Sequence, residues 1–326
     1  MKMPISEAFD LAVEVLRGGG LSRQGAEVVA AHLVDAHCTG HTFAGLPRIP
    51  TLLEGIGELT GGVLEDPEVI RETATTAWVD GKGSLGYIAC QKAIELGIAK
   101  GRDQPVVIVG ACNAYYSGRL GYYAEQAARA GHVVIHTNSS SAAVAAPGGT
   151  RPVLGTNPFC ISFPTNQGEL TVDFSTAAIT EGAVRLAAAT GEELPPGAAI
   201  DGLGRETSDP QAALAGAILP WGGHKGFALS MAVAALGVLA GGAALPNEAA
   251  NHGYIFVLVR ADTFLAPGEF QDRLDLLIDY LRDGAASVRI PGEQSSKRRD
   301  RARSEGFVEV PDEVLGELRA LRDAQV

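Results

Sequence analysis

The longest apolar run in the chain, Phe227 to Ala240, restricts its fold most. It is interrupted by Gly237 and falls short of the roughly 18–20 apolar residues needed to span a bilayer. It therefore reads as a buried core helix of a soluble protein. The residues ahead of it, Gly222-Gly223-His224-Lys225-Gly226, place small residues and one cation where that helix begins. First-turn amides and the helix dipole would face whatever occupies this loop, and Lys225 adds a full charge. That combination suits a phosphate or a carboxylate. The plain alternative is a flexible surface turn.

Length and charge narrow the class. The chain has 326 residues, enough for one large domain or two ordinary ones. Its 26 basic residues against 38 acidic ones give a net charge of -12, which argues against a nucleic-acid partner. Cys38, Cys90, Cys112 and Cys160 have no metal-type spacing, and four cysteines cannot staple a chain of this size. The first 30 residues carry no secretory pattern, so a cytoplasmic location with no membrane partner is expected. The 41 glycines imply many tight turns or close backbone approaches.

Helical periodicity covers Ser6 to Leu16, stopped by Gly18-Gly19-Gly20. Ser22 can cap a second helix running to about Cys38. Thr39 to Gly45 interrupts it, and a third helix spans roughly Pro50 to Glu58, ending near Gly61 and Gly62. Strands are expected at Thr73 to Val79 with a turn at Asp80-Gly81, then at Val106 to Val109, Val133 to Thr137, Ile161 to Phe163, Leu170 to Val172 and Tyr254 to Val259. Helices are expected at Gly86 to Lys100, Leu120 to Ala130 and Pro311 to Asp323. The basic stretch Lys297 to Arg303 reads as a solvated face. The mixture invites a doubly wound dinucleotide fold, but its glycine-rich turn is absent: Gly81-Lys82-Gly83-Ser84-Leu85-Gly86 has the wrong spacing. No ATPase-type phosphate loop occurs either. A nucleotide here would need another architecture.

Several residues could carry chemistry. His41 lies where a helix breaks and suits proton transfer, or simply caps the break. His32, His37 and His41 do not share one helical face, so no metal is expected. Asn113-Ala114-Tyr115-Tyr116-Ser117-Gly118 joins a strand to a helix, a place where polar side chains commonly enter a ligand crevice. Leu154-Gly155-Thr156-Asn157-Pro158 is a polar turn between apolar runs. Arg48 could meet an anion.

Taken in order, these residues carry a resemblance. They are joined by Leu46-Pro47-Arg48, Gly121-Tyr122-Tyr123-Ala124, Pro147-Gly148-Gly149, Asp209-Pro210, Leu219-Pro220 and Pro291-Gly292-Glu293. Over nearly its whole length the chain resembles the malate/L-lactate dehydrogenase family, the type that includes ureidoglycolate and sulfolactate dehydrogenases, diketogulonate reductase and piperideine- and pyrroline-2-carboxylate reductases. The resemblance implies an α+β fold. A non-Rossmann nucleotide domain with a mixed, largely antiparallel sheet would span residues 73–290, and a helical domain would be built from both chain ends, 1–72 and 291–326. It implies a homodimer that uses NADPH or NADH on a small-molecule substrate, a 2-oxo or 2-hydroxy acid or a cyclic imino acid.

The resemblance assigns nucleotide contacts to Asn157, Asp173, Ser175, Thr176, Gly182, Gly222, Gly223, His224, Lys225, Gly226 and Arg303, and catalysis to His41, with Arg48 and Tyr116 beside it. The chain also departs from the family pattern. Gly45 stands where an arginine is usual, Tyr116 where a second histidine is usual, and Ala183 where a lysine is common. Arg48 could replace the missing arginine. The departures leave open a protein that keeps the fold and the nucleotide but has lost or changed its redox catalysis.

Overall fold

The computed structural model describes residues 1–60, 64–247, 251–284 and 287–324. The helices are α1 (Ile5–Gly18), α2 (Arg23–Cys38), α3 (Ile49–Thr60), α4 (Gly86–Gly101), α5 (Leu120–Arg129), α6 (Glu181–Thr190), α7 (Pro210–Ala215), α8 (His224–Leu239), α9 (Glu269–Gly284), α10 (Glu293–Glu305) and α11 (Asp312–Ala324). The strands are β1 (Lys2–Pro4), β2 (Glu68–Glu72), β3 (Thr76–Leu85), β4 (Val106–Tyr115), β5 (His132–Asn138), β6 (Val144–Ala145), β7 (Pro152–Leu154), β8 (Phe159–Thr165), β9 (Gly168–Phe174), β10 (Ala199–Ile200), β11 (Glu206–Thr207), β12 (Ala217–Ile218), β13 (His252–Arg260) and β14 (Phe307–Glu309).

The chain ends fold together. In α1 the apolar positions Ala8, Leu11, Ala12, Val15 and Leu16 recur at helical spacing and form one buried face. The helix stops at the expected glycines. Ser22 then caps α2, its Oγ accepting from the Gly25 amide at 3.1 Å. That bond satisfies an amide the helix itself leaves unpaired. At the other terminus, β14 pairs antiparallel with β1. Val308, Val310, Leu315 and Leu318 join the core of α1, α2 and α3. The expected stop at Gly61-Gly62 lies outside the described residues.

A seven-stranded sheet forms the middle, in the order β2-β3-β4-β13-β5-β8-β9. Only β3 and β4 run parallel; the other neighbouring pairs are antiparallel. Helices α4 and α5 cover one face, where Ile94, Tyr123, Phe256 and Leu258 share a core. Helix α8 lies on the other face, where the Trp78 indole donates to the Ala240 carbonyl at 2.7 Å. A smaller five-stranded sheet, β11-β10-β12-β6-β7, packs with α6 and α7 around its own apolar cluster.

Three expectations need correction. Asp80-Gly81 is not a turn, because β3 continues through it. Asp80 faces Cys112 and Ser84 faces Ala114, so extra residues bulge out between them, with Lys82 at φ 56 and Gly83 at φ 72. The turn-prone dipeptide marks that bulge. Second, α8 is not a buried core helix. Only Gly226, Ser230, Val233 and Gly237 are buried, whereas Met231, Val238 and Leu239 are 57%, 47% and 75% exposed. An all-round apolar helix wants cover on every side, and this chain covers one. Third, the basic stretch is not wholly solvated: Arg299 is buried among carboxylates.

Candidate active site

A cavity of about 490 Å³ opens between the chain-end unit and the large sheet. That volume falls within the usual range for small-molecule sites. Among the described residues, two of the four non-glycine residues with positive φ lie in or against it: Tyr116 (φ 35), which lines it, and Asn157 (φ 33), which bonds the lining residue Ser140. Such strain persists where surrounding contacts fix the backbone, commonly at functional sites.

His41, Arg48 and Tyr116 line one part of the cavity. His41 follows α2 and begins the short 3₁₀ turn Thr42–Ala44. Its Nε2 lies 3.3 Å from the Ser295 hydroxyl on α10, so the C-terminal segment helps to hold the ring. Burial, and then the Arg119 guanidinium, lower the imidazole pKa below 6.5, leaving the ring neutral at neutral pH. The Tyr116 backbone is set by the turn that follows β4. Gly118, at φ 74, lies so close to α2 that a Cβ there would come within 2.5 Å of His32 Nε2. Only glycine fits that turn. The Arg48 guanidinium stacks 4.6 Å from the Tyr116 ring centroid, and its buried Nε has no partner. A guanidinium lining a cavity is suited to an anionic ligand group.

The space at Gly45 is closed to a side chain. A Cβ on Gly45 would lie 2.8 Å from His37 Nδ1 and 3.0 Å from the Leu33 carbonyl oxygen. A side chain at this position would run into α2. Arg48, one 3₁₀ turn later, is the cation that lines the cavity.

Asp173, Ser175 and Gly182 line the same cavity. Asp173 accepts from the Gly121 amide at 2.7 Å, and burial raises its pKa although Arg119 opposes this. Ser175 and Thr176 both donate to the Thr156 carbonyl, at 3.0 and 2.9 Å. Buried Asn157 accepts from the Ser140 amide at 3.0 Å and donates to the Ser230 carbonyl at 2.9 Å, pinning its loop to α8. Asn157 and Thr176 thus support the wall from behind.

Gly222, Gly223, His224, Lys225 and Gly226 sit at the start of α8, outside the cavity lining. They adjoin it through Trp221, whose ring lies 5.8 Å from that of Phe174 and whose amide donates to the Thr176 carbonyl at 2.9 Å. No side chain caps this helix start. Among the described residues, Lys225 has no ion-pair partner. Exposed amides beside a free ammonium form a donor set that fits phosphate. Arg303 stands apart from the cavity and pairs with Asp35 at 3.1 Å.

Arg119 lines the cavity but is engaged elsewhere. It binds Glu125 at 2.7 Å and Asp35 at 3.1 Å. Arg299 bonds Glu125 and Glu169, and Arg129 bridges the same two acids. This network ties α2, α5, β9 and α10 together behind His41. His32 accepts from the Arg119 amide at 3.0 Å, and the His37 ring bonds the Glu309 carbonyl at 2.7 Å, so both are occupied in packing. Among the described residues, no cluster of three or more His, Cys, Asp or Glu is arranged to hold a metal.

The sequence does not announce His252, Ser141 or Arg119, which also line the cavity. His252 opens β13 in an unremarkable context, and Ser141 sits in a serine run. His252 reaches the site from β13, where its pairing with β4 is irregular.

Comparison with known proteins shows the family. The family model for malate/L-lactate dehydrogenase matches residues 3–319. The L-sulfolactate dehydrogenase of Methanothermobacter thermautotrophicus is 32% identical, the match covering 97% of this chain and 94% of that protein. The (2R)-3-sulfolactate dehydrogenase (NADP(+)) of Chromohalobacter salexigens is also 32% identical, over 99% of this chain and 98% of that one. The solved Δ1-piperideine-2-carboxylate reductase of Pseudomonas syringae superposes with a TM-score of 0.90 at 28% identity, covering 98% of this chain and 99% of that one. With both ends of the chain, the central sheet and the cavity all included in these matches, the protein belongs to the malate/L-lactate dehydrogenase family.

Proposed function

We propose that the chain is an NAD(P)H-dependent oxidoreductase acting on a small 2-oxo or 2-hydroxy acid or a cyclic imino acid. The observation that carries this reading is that one cavity gathers His41, Arg48 and Tyr116 together with Asp173, Ser175 and Gly182. The α8 amides and Lys225 would hold the nucleotide phosphates, and the Asp173 to Gly182 segment would hold the nicotinamide half. When bound, the nicotinamide supplies or accepts the hydride.

The chain's own residues do the rest. His41, neutral at rest, accepts the hydroxyl proton when a hydroxy acid is oxidised and returns a proton to oxygen or nitrogen on reduction. Arg48 offers its guanidinium to the substrate carboxylate, and the Tyr116 ring holds that group in place. Tyr116 also replaces the usual second histidine. A protonated C=N carbon is already electrophilic and needs less acid help than a ketone, so this replacement favours imine reduction.

A second copy of the chain would cover the apolar outer face of α8, giving a homodimer. Four free, buried cysteines suit the reducing cytoplasm. Among the described residues, no helix is long and apolar enough to cross a membrane.

The test is turnover with NADH and NADPH on a panel of 2-oxo acids and cyclic imino acids, for the wild type and His41→Asn. The expected result is reduction by the wild type, fastest on a cyclic imine, and its loss in the variant. Nucleotide binding without turnover on any of them would overturn the redox reading. A far faster rate on pyruvate would overturn the imine preference.

A further inference from the structure

His252 lies at the start of β13, where pairing with β4 is irregular: His252 faces Ala114, but Tyr254 faces Ala111. Asn113, at φ 51, sits in the resulting bulge and donates its amide to the Asn251 side chain at 2.8 Å. On the other side, the Ser139 amide donates to the Gly253 carbonyl at 3.0 Å, and the Gly253 amide donates to the Ser139 hydroxyl at 2.9 Å. The imidazole is therefore fixed by its backbone on both flanks. It is 6% exposed, lines the cavity and lies 5.8 Å from the Tyr115 ring.

Its Nε2 lies 3.2 Å from the hydroxyl of Ser141, which is exposed and also lines the cavity. Its Nδ1 is buried with no partner among the described residues. Burial pushes its pKa down to about 4, so the ring is neutral at neutral pH and carries one proton. A buried N–H without an acceptor is rarer than an unfilled lone pair. The proton therefore belongs on Nε2, directed at Ser141 Oγ. Ser141 accepts that bond, and its own O–H is left free to donate into the cavity.

Resting on the nucleotide reading above, we propose that Ser141 is a binding residue for the nicotinamide half of the cofactor, donating to its carboxamide oxygen, and that His252 is the positioning residue behind it. Ser141 adjoins Ser140, which is bonded to Asn157 on the wall assigned to the nucleotide. That placement favours the cofactor over the substrate carboxylate, which has Arg48.

The test measures binding of NADH, reduced nicotinamide mononucleotide and ADP-ribose to the wild type and to Ser141→Ala, His252→Gln and His252→Phe, with circular dichroism as the check on folding. Loss of one neutral hydrogen bond should weaken NADH and the mononucleotide by about tenfold in S141A and H252F, and leave ADP-ribose unchanged. H252Q, whose amide can still donate to Ser141, should bind within about threefold of the wild type. Equal mononucleotide affinity in folded S141A and wild type overturns the proposal. So does weaker ADP-ribose binding of the same size, which would mean general damage. A wild type that binds none of the three overturns the nucleotide reading itself, and is thereby told apart from a failure confined to Ser141.

Discussion

Replacing Arg299 by Met tests the charged network behind the cavity. Arg299 bonds Glu125 and Glu169, and the side chains of all three, with those of Arg119 and Asp35, are less than a tenth exposed. Removing one partner of such a group leaves the others charged and desolvated, at a cost of about 3–5 kcal/mol. Glu125 gives an independent scale. Burial alone would raise its pKa, but Arg119 and Arg299 override this and hold it at about 2, against 4.5 when unfolded. A shift of that size is worth about 3 kcal/mol. Its sign follows from linkage: the stabilisation is complete above pH 4.5 and is lost as pH falls toward 2. Urea unfolding followed by circular dichroism should show Arg299→Met destabilised by about 3–5 kcal/mol near neutral pH. A cycle with Glu125→Gln should give a coupling above about 1 kcal/mol. Stability within about 0.5 kcal/mol of wild type, or two strictly additive changes, would refute the claim that these charges hold the chain ends to the sheet.

Other outcomes follow from the same geometry. His41→Asn should lower kcat by roughly 10²–10⁴-fold while NADH affinity, read by fluorescence, stays unchanged. Because the His41 pKa is lowered, the rate of hydroxy-acid oxidation should rise with pH and level off below the 6.5 of an ordinary imidazole, as a pH–rate profile will show. Lys225→Met should weaken NADH binding and reduce its salt dependence, measured by titration at two ionic strengths. Gly45→Ala should destabilise the fold by about 1–3 kcal/mol in thermal or urea unfolding, since its Cβ meets His37 and the Leu33 carbonyl.

Much of the architecture was readable from local chemistry. The glycine stop after α1 and the Ser22 cap act over a few residues, and the structure places them as expected. Features that depend on distant partners were not readable. Asp80-Gly81 resembles a turn until β4 is known to run beside it. The apolar α8 resembles a core element, because a sequence cannot say which of its faces the chain will cover. Arg299 resembles a surface cation in a basic run, and only the meeting of α10 with Glu125 and Glu169 buries it.

The site divides in the same way. His41, Arg48 and Tyr116 stand out by residue type and by their place in the family pattern. His252 and Ser141 carry no motif, and they meet at the cavity from positions far apart in sequence. Arg303, assigned to the nucleotide by resemblance, pairs with Asp35.

The central claim is direct hydride transfer inside this cavity, and isotope transfer tests it most directly. The protein would be given NADH deuterated at both C4 positions of the nicotinamide, together with a cyclic imino acid, and the product weighed by mass spectrometry. One deuterium on the reduced carbon is the expected result. A reduced product whose added hydrogen comes from solvent would contradict the account.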